Sequence, residues 1–344
     1  MFTKSLFRKQ HTTNESTRQR APARHHHVKI VLAAIGVLVL AVAGLTFGLS
    51  AAHGHAAQVT CGTAPSSCGY PDATNTGVPT GTTLKTVPGQ VSSGPGWSYN
   101  SGGWVAVTGN GANLTGLNIP YGVVISADNV TLNDDQITTG GPNTFGVSLR
   151  HTAGATIQNT TITGSNGGAN EVTSGIKDIS GDSTGLVVNH DNISNFESGL
   201  GVEAGLIENS YIHNPGYVAG DHTNGIISSG GGGGLQLTIN HNTIFNGLTQ
   251  TDDIGLFEDI GAQANRTITN NLLAGGAYSI YGGATKTATY GPTSNIVITG
   301  NVFAANYHST GGNNGPVAYF NSAGTGNNWA NNTWDTLGTN IPAP

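Results

Sequence analysis

Residues 238–244 read TINHNTI, residues 267–273 TITNNLL and residues 297–303 VITGNVF. In each, an apolar residue is followed two places on by a small polar residue, histidine or glycine, and three places after that by a second apolar residue. The same spacing occurs nine times: Leu114 with Ile119, Leu132 with Ile137, Ile157 with Ile162, Val188 with Ile193, Ile207 with Ile212, Ile239 with Ile244, Ile268 with Leu273, Ile298 with Phe303, and Trp329 with Trp334. The third place holds Gly116, Asp134, Asn159, His190, Asn209, His241, Asn270, Gly300 and Asn331. Glycine and asparagine tolerate left-handed backbone, and an asparagine side chain at a corner can bond to its neighbour in the next copy. The motif therefore reads as strand, corner, strand. Successive copies start 18 to 32 residues apart, and most are preceded by a glycine and an apolar strand start, as in Gly122-Val123, Gly146-Val147, Gly175-Ile176, Gly199-Leu200, Gly225-Ile226 and Gly255-Leu256. Short strands joined by polar corners at this period describe a β-solenoid, in which coils stack about 4.8 Å apart and their inward Ile, Val and Leu form one column.

Composition points the same way. Of 344 residues 53 are glycine and 9% are charged, too few charges for the exposed faces of helices, while Asn, Thr, Ser and Gly suit turns and strands. The expected class is all-β. The net charge of −6 hides two unlike parts, because seven of the 12 Lys and Arg precede residue 30 and only Glu15 opposes them there. The remainder carries five basic against 17 acidic residues, which argues against a nucleic-acid partner.

Residues 30–49 are an unbroken run of apolar and small residues behind a basic flank, residues 1–29. About 20 such residues suffice to span a bilayer, and the positive flank stays cytoplasmic. The run reads as a signal peptide or a signal anchor, and either sends the rest outside, secreted or held at the cell surface. Contact with a membrane is expected only through this run, if it is retained. Cys61 and Cys68, the only cysteines, suit a local disulfide in an oxidising compartment. Residues 50–100 are expected to form a linker and a cap over the first coil, and residues 101–344 the solenoid, working as a monomer.

With its repeats and glycine-led strands, the chain resembles the right-handed parallel β-helix superfamily of pectate lyases, polygalacturonases and alginate epimerases. The resemblance covers about residues 100–335 and implies that fold, with about nine repeat copies. It also implies that a substrate groove lies on the strand fed by the longest loops. Here those loops are residues 138–145, 163–174, 213–224, 245–254 and 304–314, and all feed the same strand.

Alternation along that strand turns Arg150, Lys177, Glu203, Phe257, Asp259 and Tyr281 outward. The loops add Glu171, Glu197, Asp221, His222 and Asn224, then Asp252 and Asp253 one coil later. HTNGI followed by TDDIG is similar to the polygalacturonase order of an Asn-Thr-Asp motif and a paired Asp. Asn224 stands where that family has an acid, and AGGAYSIYGG lacks its Gly-His-Gly. Independently of family, glycoside hydrolysis needs two carboxyl groups about 5 to 10 Å apart. Asp221 with Asp252 or Asp253 gives the shorter separation, and Glu203 with Asp259 about 10 Å. Asp221, His222, Asp252, Asp253 and Asp259 are thus the catalytic candidates, with Arg150, Lys177, Glu203, Asn224, Phe257 and Tyr281 as substrate contacts.

An extracellular polysaccharide is the expected partner and hydrolysis the first chemistry. A lyase or epimerase with His222 as base, and Arg150 or Lys177 neutralising a uronate, is the alternative. A non-catalytic carbohydrate-binding or structural solenoid is the third. No motif demands a cofactor or a metal, and Ca²⁺ enters only as a bridge to a polyanion. Structural readings stand beside these. Asp252 or Asp253 can merely cap a corner, and His190 and His241 read as corner residues. No flat Thr-x-Thr ladder is visible at one place in each coil, which counts against an ice-binding solenoid.

Overall fold

The structure, a computed structural model, describes residues 60–141, 144–164, 172–230, 234–284 and 290–344. The basic flank, the run at residues 30–49 and Glu171 lie outside them.

The chain winds as a right-handed parallel β-helix whose coils feed three sheets. Among the described residues, sheet A runs from Lys85–Thr86 to Thr333–Trp334 and sheet B from Ser93–Gly94 to Val317–Ala318. Sheet C runs from Asn113–Thr115 to Asn328–Ala330. The apolar pairs read from the sequence are the inward residues. The first of each pair stacks in sheet C, as Ile239 on Ile268 on Ile298, and the second in sheet A, as Ile244 on Leu273 on Phe303. Val147, Ile176, Leu200, Ile226, Ile254 and Ile280 form the matching column of sheet B. These side chains are buried, and full burial of an aliphatic side chain contributes about 1.5–3 kcal/mol. The stack therefore accounts for the cohesion of the described residues, which hold little helix and few ion pairs.

All nine third-place residues adopt left-handed backbone, with φ between 50° at Asn159 and 70° at Gly300. His190 and His241 are among them, at φ 57° and 53°. At eight of the nine the corner is closed by the polar residue that follows, Leu117 being the ninth. Asp135, Thr160, Asp191, Ser210, Asn242, Asn271, Asn301 and Asn332 are fully buried. Each backbone N–H in this column donates to the side-chain oxygen of the next member: Thr160 to Asp191 Oδ1 at 2.7 Å, Asn242 to Asn271 Oδ1 at 2.9 Å, Asn271 to Asn301 Oδ1 at 3.0 Å.

The segment expected as a linker is a strap. The N–H groups of Cys61 and Gly62 donate to the two carboxylate oxygens of Asp335, in the last coil, at 2.9 and 2.8 Å. Cys61 and Cys68 are joined in a disulfide. Tyr70 stacks on His241 with ring centroids 5.6 Å apart. Gly77 N–H donates to His190 O at 2.8 Å, and Lys85–Thr86 pairs with Leu117–Ile119 in the first coil. The strap thus runs the length of sheet A against the direction of winding. Cys61 and Tyr70 pack on an apolar patch of Phe245, Leu272, Ala274 and Ala304.

Among the described residues the ends are covered without helices. An antiparallel hairpin of Ser93–Gly94 and Trp97–Asn100 extends sheet B ahead of Trp104–Val107. At the other end the tail folds back, so that Ile341 is buried, its N–H donates to Asn332 O at 2.7 Å and its carbonyl accepts from Trp329 Nε1 at 2.8 Å.

Candidate functional site

The long loops feed sheet B, as expected. Their strands include Thr144–Leu149, Val172–Asp178, Asn224–Ser228, Asp252–Leu256 and Val317–Ala318. Ser198–Gly201 and Asn224–Ser228 open on a polar residue, then a glycine, then the inward apolar residue, and Val172–Asp178 carries the same triplet at Ser174, Gly175 and Ile176. A Cβ at Gly146, Gly175 or Gly199 would collide with the carbonyl oxygen of the next glycine along the column, so only glycine fits there. The polar column beside it is Ser174, Ser198, Asn224 and Asp252, in direct register and all buried.

This register corrects one phase. Ile254, and not Leu256, is the partner of Ile226, so the strand start read at Gly255-Leu256 lies two residues earlier. Asp252 and Asp253 therefore leave the loop and enter the strand. Asp252 extends the Ser-Asn column and Asp253 takes the place held by glycine in the preceding coils. The strand accommodates Asp253 with a bulge, in which the N–H groups of Asp253 and Ile254 both donate to Ser279 O, at 3.1 and 3.0 Å.

Neither carboxyl of the pair is open to solvent. Asp252 and Asp253 are each 0% exposed. Both oxygens of Asp252 lack a hydrogen-bond partner, as does Oδ1 of neighbouring Asn224. Burial, then the adjacent Asp253, pushes the Asp252 carboxyl well above the usual carboxylate range. Burial does the same to Asp253, against the lowering effect of the Asn246 N–H, which donates to its Oδ1 at 2.9 Å.

Asp252 lies under aromatic cover. Gly255 leaves a space occupied by both the Asp252 carboxyl and the Phe257 ring, and a Cβ there would collide with both. Phe257 meets Tyr281 at 5.3 Å between centroids, Tyr278 meets Tyr281 at 5.5 Å, and Tyr281 stacks on Tyr319 at 5.7 Å and 19°. Burial, followed by the proximity of Asp252, pushes the Tyr281 hydroxyl up to about 12. At the opposite end of the same face, Trp104, Tyr121, Phe145, Ser148 and Arg150 line an open cleft of about 590 Å³.

The remaining candidates divide. Arg150 is exposed and Lys177 stands on the outer face, its ammonium over Gly201. Asp221 turns back on its own loop, where Oδ2 accepts the Val218 N–H at 2.5 Å, and His222 is exposed. Asn224 is buried, its amide donating to His222 O at 2.6 Å and to Ser198 Oγ at 3.3 Å. The two acid-bearing segments touch through Thr223, whose carbonyl accepts the Asp252 N–H at 3.4 Å. Asp221, His222, Asp252 and Asp253 thus come to neighbouring coils, but not to one open site. Asp259 is exposed, and its carbonyl accepts the Tyr290 hydroxyl at 3.2 Å.

Glu203 departs from its expected outward position. Its strand, Ser198–Gly201, ends before it, and the side chain turns in at the corner to accept Ser228 Oγ at 2.6 Å, Ser229 N–H at 2.8 Å and Gly230 N–H at 3.2 Å. Arg266, also buried, stands 3.7 Å away. Glu203 therefore holds the next coil in place and does not line a groove. Glu258 follows the end of Asp252–Leu256 and is also buried.

Sequence reasoning missed Tyr319 and the cleft of Trp104, Tyr121 and Phe145. Alignment on the glycine column would have brought Tyr121 and Phe145 together, since each directly precedes a glycine of that column. Among the described residues no group of three or more His, Cys, Asp or Glu is placed to hold a metal ion. Comparison with family models, curated proteins and solved structures returns no match.

Proposed function

We propose that this chain is an extracellular polysaccharide-binding protein that carries its ligand along the outer face of sheet B and cleaves it by carboxyl acid–base chemistry of the glycoside-hydrolase type. The observation that carries the reading is the run of rings Phe257, Tyr281 and Tyr319 above Asp252. Aromatic faces give sugar rings a flat apolar platform with polar edges. Burial favours the protonated form of Asp252, the form a general acid needs. Parting of the Phe257 and Tyr281 rings by an entering sugar exposes it. The carboxylates proposed as its partner are Asp259, which is exposed, and Asp221, which is half-buried and turns one oxygen back to the Val218 N–H.

No cofactor is required by this chemistry, and Ca²⁺ would serve only as a bridge to an anionic polymer. Export through residues 30–49, as a cleaved peptide or a retained anchor, places a monomeric β-helix where such polymers occur. A non-catalytic binding module is the second reading, favoured by the complete burial of Asp252 and Asp253. A lyase or epimerase reaction would instead rest on the exposed His222 with Arg150 and Lys177.

The test is incubation of the full chain with neutral and uronate polysaccharides, reading new reducing ends and unsaturated-uronate absorbance together. Reducing ends without the absorbance, lost in Asp252→Asn, support hydrolysis at this site. Both signals, lost in His222→Ala, move the assignment to a lyase. Binding with neither signal leaves the non-catalytic module.

A further inference from the structure

We propose that Ser180, His151 and Asp182 form a second catalytic site, apart from Asp252, that hydrolyses esters of short carboxylic acids. Stacking of two coils brings them together. Ser148 pairs with Lys177 and Leu149 with Asp178, and the Ile179 N–H donates to Leu149 O at 3.0 Å. This register runs on past the strand ends and sets His151 beside Ser180 at the corner where the chain leaves sheet B. His151 Nδ1 lies 2.7 Å from Asp182 Oδ2, and His151 Nε2 lies 3.4 Å from Ser180 Oγ. The order is carboxylate, imidazole, hydroxyl. Coil stacking does not need it, because all three residues are exposed and an exposed ion pair adds only about 0–1 kcal/mol.

An ionised Asp182 can only accept, so it fixes the neutral His151 ring with its proton on Nδ1 and leaves the Nε2 lone pair to the Ser180 hydroxyl. An imidazole so held takes the proton of a serine nucleophile. The Ser180–His151 distance exceeds the about 2.6–3.2 Å of a working pair, as is common before a substrate tightens the contact. In the first step Ser180 Oγ bonds to the ester carbonyl carbon and its proton passes to His151 Nε2. The bond from that carbon to the alcohol oxygen then breaks, and the proton goes to the leaving oxygen. Water attacks the acyl-serine by the same route, with His151 again carrying the proton, and releases the carboxylic acid and free Ser180. Water is the only co-reactant. Asp182 touches the ring alone and is a positioning residue.

The turn that carries Ser180 is pinned at both ends. Asp178 and Ser183 are buried, and the Ser183 N–H and Oγ donate to the Asp178 carboxylate at 2.9 and 3.0 Å. The Thr184 N–H donates to Thr152 O, next to His151, at 2.9 Å. Between these anchors the N–H groups of Ser180, Gly181 and Asp182 donate to no protein acceptor among the described residues. Gly181 is left-handed, with φ 69°, and the N–H of the residue after a nucleophilic serine is a recurring donor to the oxyanion. Exposure of Ser180 suits a small acyl group carried on a larger molecule. Arg150, which precedes His151, lines the ring-walled cleft at this end of sheet B, and its rings offer the alcohol half an apolar seat.

The test is turnover of p-nitrophenyl acetate by the full-length protein, with mass spectrometry of samples quenched in acid during turnover. The expected result is release of p-nitrophenol together with an acetyl group on the peptide that carries Ser180. Release falls about a hundredfold and the adduct disappears in Ser180→Ala and in His151→Ala, with unchanged circular-dichroism spectra because both side chains lie on the surface. Both signals persist in Ser322→Ala, which removes an exposed serine elsewhere. Asp182→Asn lowers kcat at unchanged KM, and Asp182→Glu restores part of the loss. Undiminished release in Ser180→Ala, as a histidine acting alone would give, overturns the proposal. Release no faster than with free imidazole, or an acetyl group found only on other residues, also overturns it.

Discussion

Two columns of buried polar residues run parallel along this solenoid, one at the corner between sheets C and A and one at the head of sheet B. The corner column is satisfied from Thr160 onward, with one open oxygen at Asp135, and from Asn242 to Asn332 it consists of asparagine alone, each accepting from the previous coil and donating to a main-chain carbonyl. The sheet B column also begins with small polar residues, but it ends on Asp252 with two oxygens unpartnered. A buried polar group without a partner costs about 1–3 kcal/mol. The first column is therefore a device for stacking coils, whereas the second keeps a destabilising group that stacking does not need. That contrast marks Asp252 as a functional candidate.

The largest expected effect lies in the corner column. Asn271→Ala strands the Asn242 N–H and the Ile239 carbonyl and removes one of the two donors to Asn301 Oδ1, and is expected to cost about 3–5 kcal/mol of stability by chemical denaturation. In the sheet B column, Asp252→Asn should show the opposite balance, a gain in melting temperature with loss of about a hundredfold in any polysaccharide cleavage. Loss of stability there would make the two columns alike and remove the argument for Asp252.

A third test sharpens the comparison within the corner itself. Asp135 is the one corner acid with an unpartnered oxygen, and burial pushes its carboxyl up to about 7. The folded form holds a proton that the unfolded chain releases near pH 4, so this contribution is full below pH 4 and disappears as pH rises through about 7. Asp135→Asn supplies the missing donor, and should stabilise the protein by about 2 kcal/mol at pH 8 while leaving it little changed at pH 4. A melting-temperature series across that range reads the difference. The smallest effect is expected at the rings, where Tyr281→Ala should weaken saccharide binding by about 1 kcal/mol, several-fold in Kd by calorimetry.

The fold was legible because its signal is local. Two apolar residues five apart with a left-handed residue between them declare strand, corner and strand, and all nine such corners form. The fourth place of the motif, which carries the buried ladder, was not legible, because Asp135, Thr160, Asp191 and Ser210 are of three residue types and only a side-chain oxygen unites them. The candidate site was harder still. Gly255 imitates the glycine that starts a sheet B strand, which hid the placement of Asp252 and Asp253 in the strand. Glu203 obeyed alternation on paper, but its strand ends before it.

The strap has a consequence in time. A ribosome releases a chain from its N-terminus, so Cys61 and Gly62 are made 274 and 273 residues before their partner Asp335. Every coil can stack on the one before it as it emerges, but the first described residues must wait for the last coil. Closure of the strap's first end is thus the final step of assembly, and a chain cut short before Asp335 leaves the Cys61 and Gly62 N–H groups without their carboxylate.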